Sequence, residues 1–523
     1  MFILKRKLLL TLNLFALSIV SCSITQTSES SSHVESSSNI ESSSNIESSS
    51  NVESSSNVES SNNEDDFPKV LDFYSINDFH GRIKENLMNG EPGISKLSTY
   101  LNELKNNNED GFVFLNNGDL WQDTYSSSYN KGKLLTECME AMNCETMTLG
   151  NHEFDWGVNQ IFENQELVEN CRFLCANLYE YPAYTKKASL GEEYKIIERK
   201  GIKIGIIGTI GSTQNTSITS SNWKNLSFME TTKIVQNLSD KLRIDQGCEI
   251  IVWENHANYD SSDPEEVTKI SPKSNKRYVD AVFNGHTHSV EEYKYNGVAF
   301  IQAGAHGKQI GHIQLTYENG NVTTTLSEGD LGKYQMSSYD SNPNIDKIID
   351  KYLDDNYKEI IKETIGKINY SSTYSSIPKS KAGTLLAKAT YETYSDLMEQ
   401  YDVDIVMNNG SRSSLATGSL TYEDIFNAFP FTNYTIIAKN IKGIDINNEL
   451  QYNYCYTKDN ITFEDNKYYT IACIDYVLFH KNYKRAYDYF PSFKEENILA
   501  TIETYSVDII VKYLKNQKEI TVY

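Results

Sequence analysis

Met147-Thr148-Leu149-Gly150-Asn151-His152-Glu153-Phe154-Asp155 sets a short apolar run directly in front of an amide, an imidazole and two carboxylates, with one glycine at the joint. The same order recurs along the chain. Val70 to Ile76 precedes Asp78-Phe79-His80, Phe112 to Leu115 precedes Gly118-Asp119, Ile250 to Trp253 precedes His256, and Val279 to Phe283 precedes Gly285-His286-Thr287-His288. Short β-prone runs bounded by Gly or Asn read as buried strands. Polar clusters at the carboxyl ends of such strands converge on one rim, where rigid elements hold side chains at fixed separations. The predicted fold class is α/β.

Five of the nine histidines lie in these clusters. One such His beside an Asp is more often a satisfied structural pair. Five together, among Asp and Asn, point to metal ligands, because neutral imidazole is the commonest protein ligand for transition metals. A pair of divalent ions needs a shared carboxylate and lowers the pKa of the water between them. Asp119 is the expected bridge. Asp78, His80 and His288 complete one site, and Asn151, His256 and His286 the other. This mixture of oxygen and nitrogen donors suits Zn, Mn, Co or Fe, and the sequence does not choose among them. His152 and Asp155, three residues apart, read as a catalytic pair in which the carboxylate fixes the imidazole tautomer. The structural alternative for Asp155 is a helix cap.

Asp78-Phe79-His80-Gly81, Asn117-Gly118-Asp119, Gly150 to Asp155 and Gly285 to His288 together resemble the signature of the calcineurin-like metallophosphatases, in the form found in the secreted 5′-nucleotidase family. The resemblance covers nearly all of the chain after residue 67. It implies a four-layer α-β-β-α sandwich carrying the metal centre, followed by a smaller α+β domain that holds most of the nucleoside pocket. The second half carries Asn408-Asn409-Gly410-Ser411-Arg412, Gly418 to Asp424, and Phe429-Pro430-Phe431, which resemble that family's carboxyl-terminal signature. By resemblance, Asn408 and Gly410 line the nucleoside pocket, Arg412 reaches ribose or phosphate, and Phe431 stacks on the base. From the residues alone, Phe431 is a core aromatic after a Pro turn. The chain also departs from the pattern. The spacing from Gly410 to Arg412 is one residue shorter than usual, and the Gly-rich segment after the second stacking aromatic is missing. Tyr476 is the best match for that aromatic and Asp488 for the pocket acid.

Lys5-Arg6-Lys7 precedes an apolar stretch from Leu8 to Val20, flanked as a secretory signal should be and too short to span as a mature helix. Ile19-Val20-Ser21-Cys22 resembles a bacterial lipoprotein box, which implies cleavage after residue 21 and a lipid anchor on Cys22; the alternative is an ordinary signal peptide. Residues 22–67 contain a repeat of Ser, Asn, Ile or Val, and Glu. One apolar residue in six cannot build a core, so a disordered, mildly acidic stalk is expected, with a reach of roughly 30–35 Å. Residues 68–340 and 366–523 are expected to form the two domains, joined by a connecting helix over 341–365, where Ile345, Ile348, Ile349, Tyr352 and Leu353 recur at helical spacing.

Net charge is −23, too acidic for gripping a nucleic-acid polymer by phosphate neutralisation. Seven cysteines remain beyond Cys22, an odd number that excludes a complete disulfide framework. Cys171 and Cys175 are close enough to pair, but buried free thiols are the favoured reading. The expectation is a lipid-anchored enzyme on the outer face of the cell membrane, hydrolysing nucleoside 5′-monophosphates with two divalent ions. Its alternatives are a 2′,3′-cyclic-nucleotide phosphodiesterase or UDP-sugar hydrolase, and, from another class, a non-catalytic nucleotide-binding or adhesive lipoprotein.

Overall fold

The structure, a computed structural model, describes residues 67–523 except 88, 181–188, 224, 259–261, 327–337, 371–375, 460, 480 and 483–486, and leaves out the side chains of 220, 221, 481, 482, 487 and 488. The signal sequence, Cys22 and the stalk up to residue 66 lie outside the described residues.

Alternation along the central strands decides the layering. In strand Phe112–Asn116, Val113 and Leu115 join Leu71 and Phe73 in a core between two sheets, while Phe114 faces helices on the other side. In strand Ile250–His256, Ile250 and Val252 enter the same inter-sheet core from the opposite sheet, and Ile251 and Trp253 turn outward. A period of two thus gives each sheet two apolar faces, and both must be covered. Helix Gly93–Asn107 covers the first sheet with Ile94, Leu97 and Leu101. Helix Thr231–Asp245 covers the second with Val235, Leu238 and Leu242, the same i, i+3, i+7 spacing. The result is the expected four-layer α-β-β-α sandwich. Burying each of these large apolar side chains contributes about 1.5–3 kcal/mol.

Each sheet has six strands. The first runs 321–326, 311–318, 69–76, 112–116, 144–148, 172–174, and the second 290–295, 298–303, 281–284, 250–256, 202–210, 194–199. Their middle strands are parallel, so the carboxyl ends of 69–76, 112–116 and 144–148 open on one edge, as do those of 250–256 and 281–284. The polar clusters therefore come from two sheets, not from neighbours in one.

The single connecting helix expected over 341–365 is instead two helices, Pro343–Tyr352 and Asp355–Ile360, followed by strand Thr364–Tyr370. The break is local chemistry: the Asp354 side chain accepts from Tyr357 N at 2.9 Å and starts a new helix. Beyond it, strands 454–456, 405–408, 468–474, 435–442 and 498–502 form a five-stranded mixed sheet, and 418–421, 364–370 and 519–522 a second small sheet. Helices Lys379–Thr393 and Ser506–Gln517 pack on them. Among the described residues seven cysteines lie outside any disulfide, six of them buried. No helix among the described residues is long and apolar enough to cross a membrane.

One polar cluster on the first sheet stabilises the fold in a pH-dependent way. Asp72 accepts from His312 Nε2 at 2.8 Å, Gln314 Nε2 at 3.0 Å and Asn108 Nδ2 at 2.6 Å. Burial alone would raise this carboxyl, but the three donors outweigh it and hold its pKa at about 2. A depressed folded-state pKa means stability that is full above the unfolded value near 4 and is lost as pH falls toward 2. Asp72→Asn is expected to cost about 2 kcal/mol at pH 7, with the difference from the parent closing between pH 4 and pH 2. All four tryptophans lie in the first domain, so urea unfolding followed by their fluorescence reads this directly; a difference that persists at pH 2 would disprove the linkage.

Candidate metal and active site

The predicted ligands sit in turns that leave the strands in an unusual backbone state. Asp78 (φ 50°), His80 (52°), Asp119 (53°), His286 (77°) and His288 (59°) are all left-handed, a region that non-glycine residues seldom occupy. Such strain clusters at functional sites because surrounding structure over-determines it. Here the fastening is visible: Asp78 N donates to Gly118 O and His80 N to Asp119 O, both at 3.0 Å, and His306 N donates to Asp78 O at 2.8 Å. Gly150 is obligatory, since a Cβ there would lie 2.3 Å from Asp119 Oδ1.

Three groups bring their donor atoms within 4.8 Å of one another: Asp78, His80 and His288; Asp119, His256 and His286; and His80, Asp119 and His152. Asp119 lies between the two predicted sites. Its Oδ1 accepts from His152 N at 2.8 Å, leaving Oδ2 at 3.1 Å from His256 Nε2 and 4.0 Å from His80 Nε2. His80 and His288 bring their Nε2 atoms to 2.9 Å, and His286 Nδ1 lies 2.9 Å from Asn151 Oδ1. Backbone carbonyls set the ring orientations: Gln122 O lies 3.2 Å from His80 Nδ1 and Asn117 O lies 2.7 Å from His256 Nδ1, which leaves each Nε2 for a ligand.

Electrostatics tests whether cations fit. His256 Nε2 is fully buried with no hydrogen-bond partner of good geometry. Burial would depress this histidine, yet Asp119 and Asp78 push it up to about 10: the carboxylates draw positive charge to this point. Burial, together with Asp119, raises Asp78 to about 7, the mark of carboxylates crowded without enough countercharge. Burial lowers His286 and His288 to about 4, so both offer lone pairs at neutral pH. The donor set therefore fits divalent metal.

His152 differs from the others. Its Nδ1 meets Asp155 Oδ2 at 2.6 Å across the short helical turn His152–Phe154. Burial opposes its charge, but Asp155 and Asp119 outweigh it and push the pKa up to about 9. What sets it apart is geometry: Asp155 engages its Nδ1, and the ring lines the cleft beside the Phe431 ring.

A cleft of about 270 Å³ opens beside the cluster, lined by Asn151, His152, Asp155 and His286 from the first domain and by Asn409, Arg412, Phe431 and Tyr476 from the second. The Phe431 ring stacks near the His152 ring, 5.9 Å between centroids and 16° between planes. Tyr476 OH donates to Thr216 O at 3.1 Å. Two predicted pocket residues are placed elsewhere. Asn408 is turned inward, donating to Gly383 O and accepting from Gly410 N, and Gly410 lies against Tyr454, where a Cβ would sit 2.3 Å from the ring. Asn409 lines the cleft in their stead. The Asp488 backbone pairs with Lys481, and its side chain is outside the described residues.

Sequence reasoning gave no role to three further residues. Glu153 accepts from the backbone amides of Asp119, Leu120 and Gly150 at 2.7–2.9 Å, tying two ligand turns together. Asp123 is fully buried at φ 128°, a conformation that costs about 1–3 kcal/mol in strain, and accepts from Arg412 Nε at 2.6 Å. His306, whose ring lies 5.9 Å from that of His80 and 5.8 Å from that of His288, follows the strand Val298–Ala303 and a Gly, so its sequence signal was the same as for the ligands.

Strand ends from two sheets meeting over such a donor cluster make a mixed α/β fold of the metallophosphatase type with a separate carboxyl-terminal domain. Residues 71–290 match the family described as calcineurin-like phosphoesterase, and residues 361–462 match the 5′-nucleotidase C-terminal domain. The chain is 26% identical over 371 residues to an apyrase of Tabanus yao, covering 65% of this chain and 64% of that one. It is 26% identical over 375 residues to a 5′-nucleotidase of Bos taurus, covering 65% and 62%. These matches span less than two thirds of either relative. The crystal structure of a 5′-nucleotidase precursor from Thermus thermophilus superposes with a TM-score of 0.68 at 16% identity, covering 87% of this chain and 98% of that one.

Proposed function

We propose that this chain hydrolyses nucleoside 5′-monophosphates to nucleoside and phosphate, using two divalent ions. The observation that carries the reading is one cleft that brings the donor cluster and the His152–Asp155 pair together with Arg412 and Phe431 from the second domain. When bound, the ions would polarise the phosphoryl oxygens and supply the attacking water. Asp78, His80 and His288 would hold one, Asn151, His256 and His286 the other, with Asp119 between them. His152, oriented by Asp155, protonates the departing ribose oxygen. Arg412 offsets charge on the phosphoryl group, and Phe431 with Tyr476 forms aromatic walls for a base, each stacking contact being worth about 1–3 kcal/mol. The signal and lipoprotein box read in the sequence would place this chemistry on the outer face of the cell membrane, with Cys22 as the tether, acting on nucleotides outside the cell.

Assay of the purified chain with Mn²⁺ or Zn²⁺ against AMP, UDP-glucose and 2′,3′-cyclic AMP tests the reading. The expected result is adenosine and phosphate from AMP, at a kcat/KM at least about tenfold above either alternative. No phosphate from AMP with any first-row metal would overturn it.

A further inference from the structure

Three residues after Asp119 begins the strip on which the second domain seats. Gln122 Nε2 donates to Pro430 O at 2.9 Å, and Tyr125 N donates to Asn427 Oδ1 at 3.0 Å. Between them, Asp123 Oδ2 accepts from Arg412 Nε at 2.6 Å. Asp123 Oδ1 has no hydrogen-bond partner among the described residues, although the side chain is completely buried. A carboxylate kept in a glycine-like backbone state, desolvated and half-satisfied, is explained neither by packing nor by local hydrogen bonding. Its partner accounts for it. The guanidinium that Asp123 holds also brings Nη2 to 3.2 Å from His80 Nε2, so one side chain of the second domain reaches from the seating strip to the metal cluster. Arg412 is a long side chain that would otherwise sample many rotamers; a charge-assisted bond at Nε fixes its plane and aims the remaining N–H groups.

We propose that Asp123 is the positioning residue for Arg412. It presents the guanidinium beside the metal cluster, so that seating of the second domain and capture of a phosphoryl anion become one event. The identity of the anion as part of a nucleotide rests on the function proposed above; the positioning role does not.

The test uses the full chain loaded with Mn²⁺, as parent, Asp123→Gly, Asp123→Asn, Arg412→Ala and the Asp123→Asn/Arg412→Ala double variant. Three quantities are read: metal per chain, the rise in melting temperature produced by inorganic phosphate, and kcat and KM with 4-nitrophenyl phosphate and AMP. Both Asp123 variants are expected to keep full metal content, to lose most of the phosphate-induced rise, and to raise KM about tenfold with a smaller change in kcat. Asp123→Gly, freed of backbone strain, is expected to melt no lower than the parent, which a merely structural aspartate would not allow. The double variant should be no worse than Arg412→Ala alone. Unchanged KM and phosphate response in both Asp123 variants, additive losses in the double variant, or loss of metal on replacing Asp123 would each overturn the proposal. A parent that ignores AMP, while its phosphate response still depends on Asp123, would sink the nucleotide reading and support this one.

Discussion

An Asp119→Ala variant is expected to lose bound divalent metal and AMP hydrolysis together. Among the described residues Asp119 stands between the two predicted sites: Oδ2 faces His256 and His80, while Oδ1 anchors the His152 amide. Removing it deprives each cation of a ligand and leaves His256 Nε2 buried without a counter-charge. Loss of a partner outside the ligand shell typically costs 10–100-fold in affinity or rate, so loss of the shared ligand should exceed about 10³-fold in turnover. Elemental analysis alongside phosphate release measures both effects. A variant holding two equivalents of metal at near-normal rate would remove Asp119 from the bridging position.

His152→Asn should separate what Asp119→Ala joins. The His152 ring is tied to Asp155 at 2.6 Å and holds its proton to about pH 9, which suits protonation of a leaving oxygen. The variant is therefore expected to retain metal while kcat with AMP falls about 10²- to 10⁴-fold, the range for a general acid. The loss should shrink with 4-nitrophenyl phosphate, whose phenolate departs without a proton. Equal losses on both substrates, or loss of metal, would count against the proton-donor role.

The amino-terminal donor cluster was legible because its residues follow a local rule: a buried strand ends at a Gly or Asn, and a polar side chain emerges beside it. Asp78, Asp119, Asn151, His256 and His286 each obey it within a few residues. His306 obeys it too, two residues after Gly304. Glu153 and Asp123 were not readable at all. The first acts on backbone amides that folding brings to it, and the second meets a partner 289 residues away. In the second domain Asn408 rested on the resemblance alone, and its side chain bonds Gly383 and Gly410 while the next residue, Asn409, lines the cleft. The linker differs for a local reason: helical spacing over Ile345 to Leu353 is real, but Asp354 caps the start of a second helix directly after it.

Left-handed ligand turns fastened by hydrogen bonds from the chain to itself have one more consequence. Because Asp78, His80 and Asp119 are held by Gly118 O, Asp119 O and Glu153, the cage is a finished vessel whose shape the polypeptide dictates and the incoming ion does not. On the function proposed above, the ion would be an exchangeable component. The first-row element in the vessel would follow what the surroundings supply, and a change of metal would leave the fold as it is.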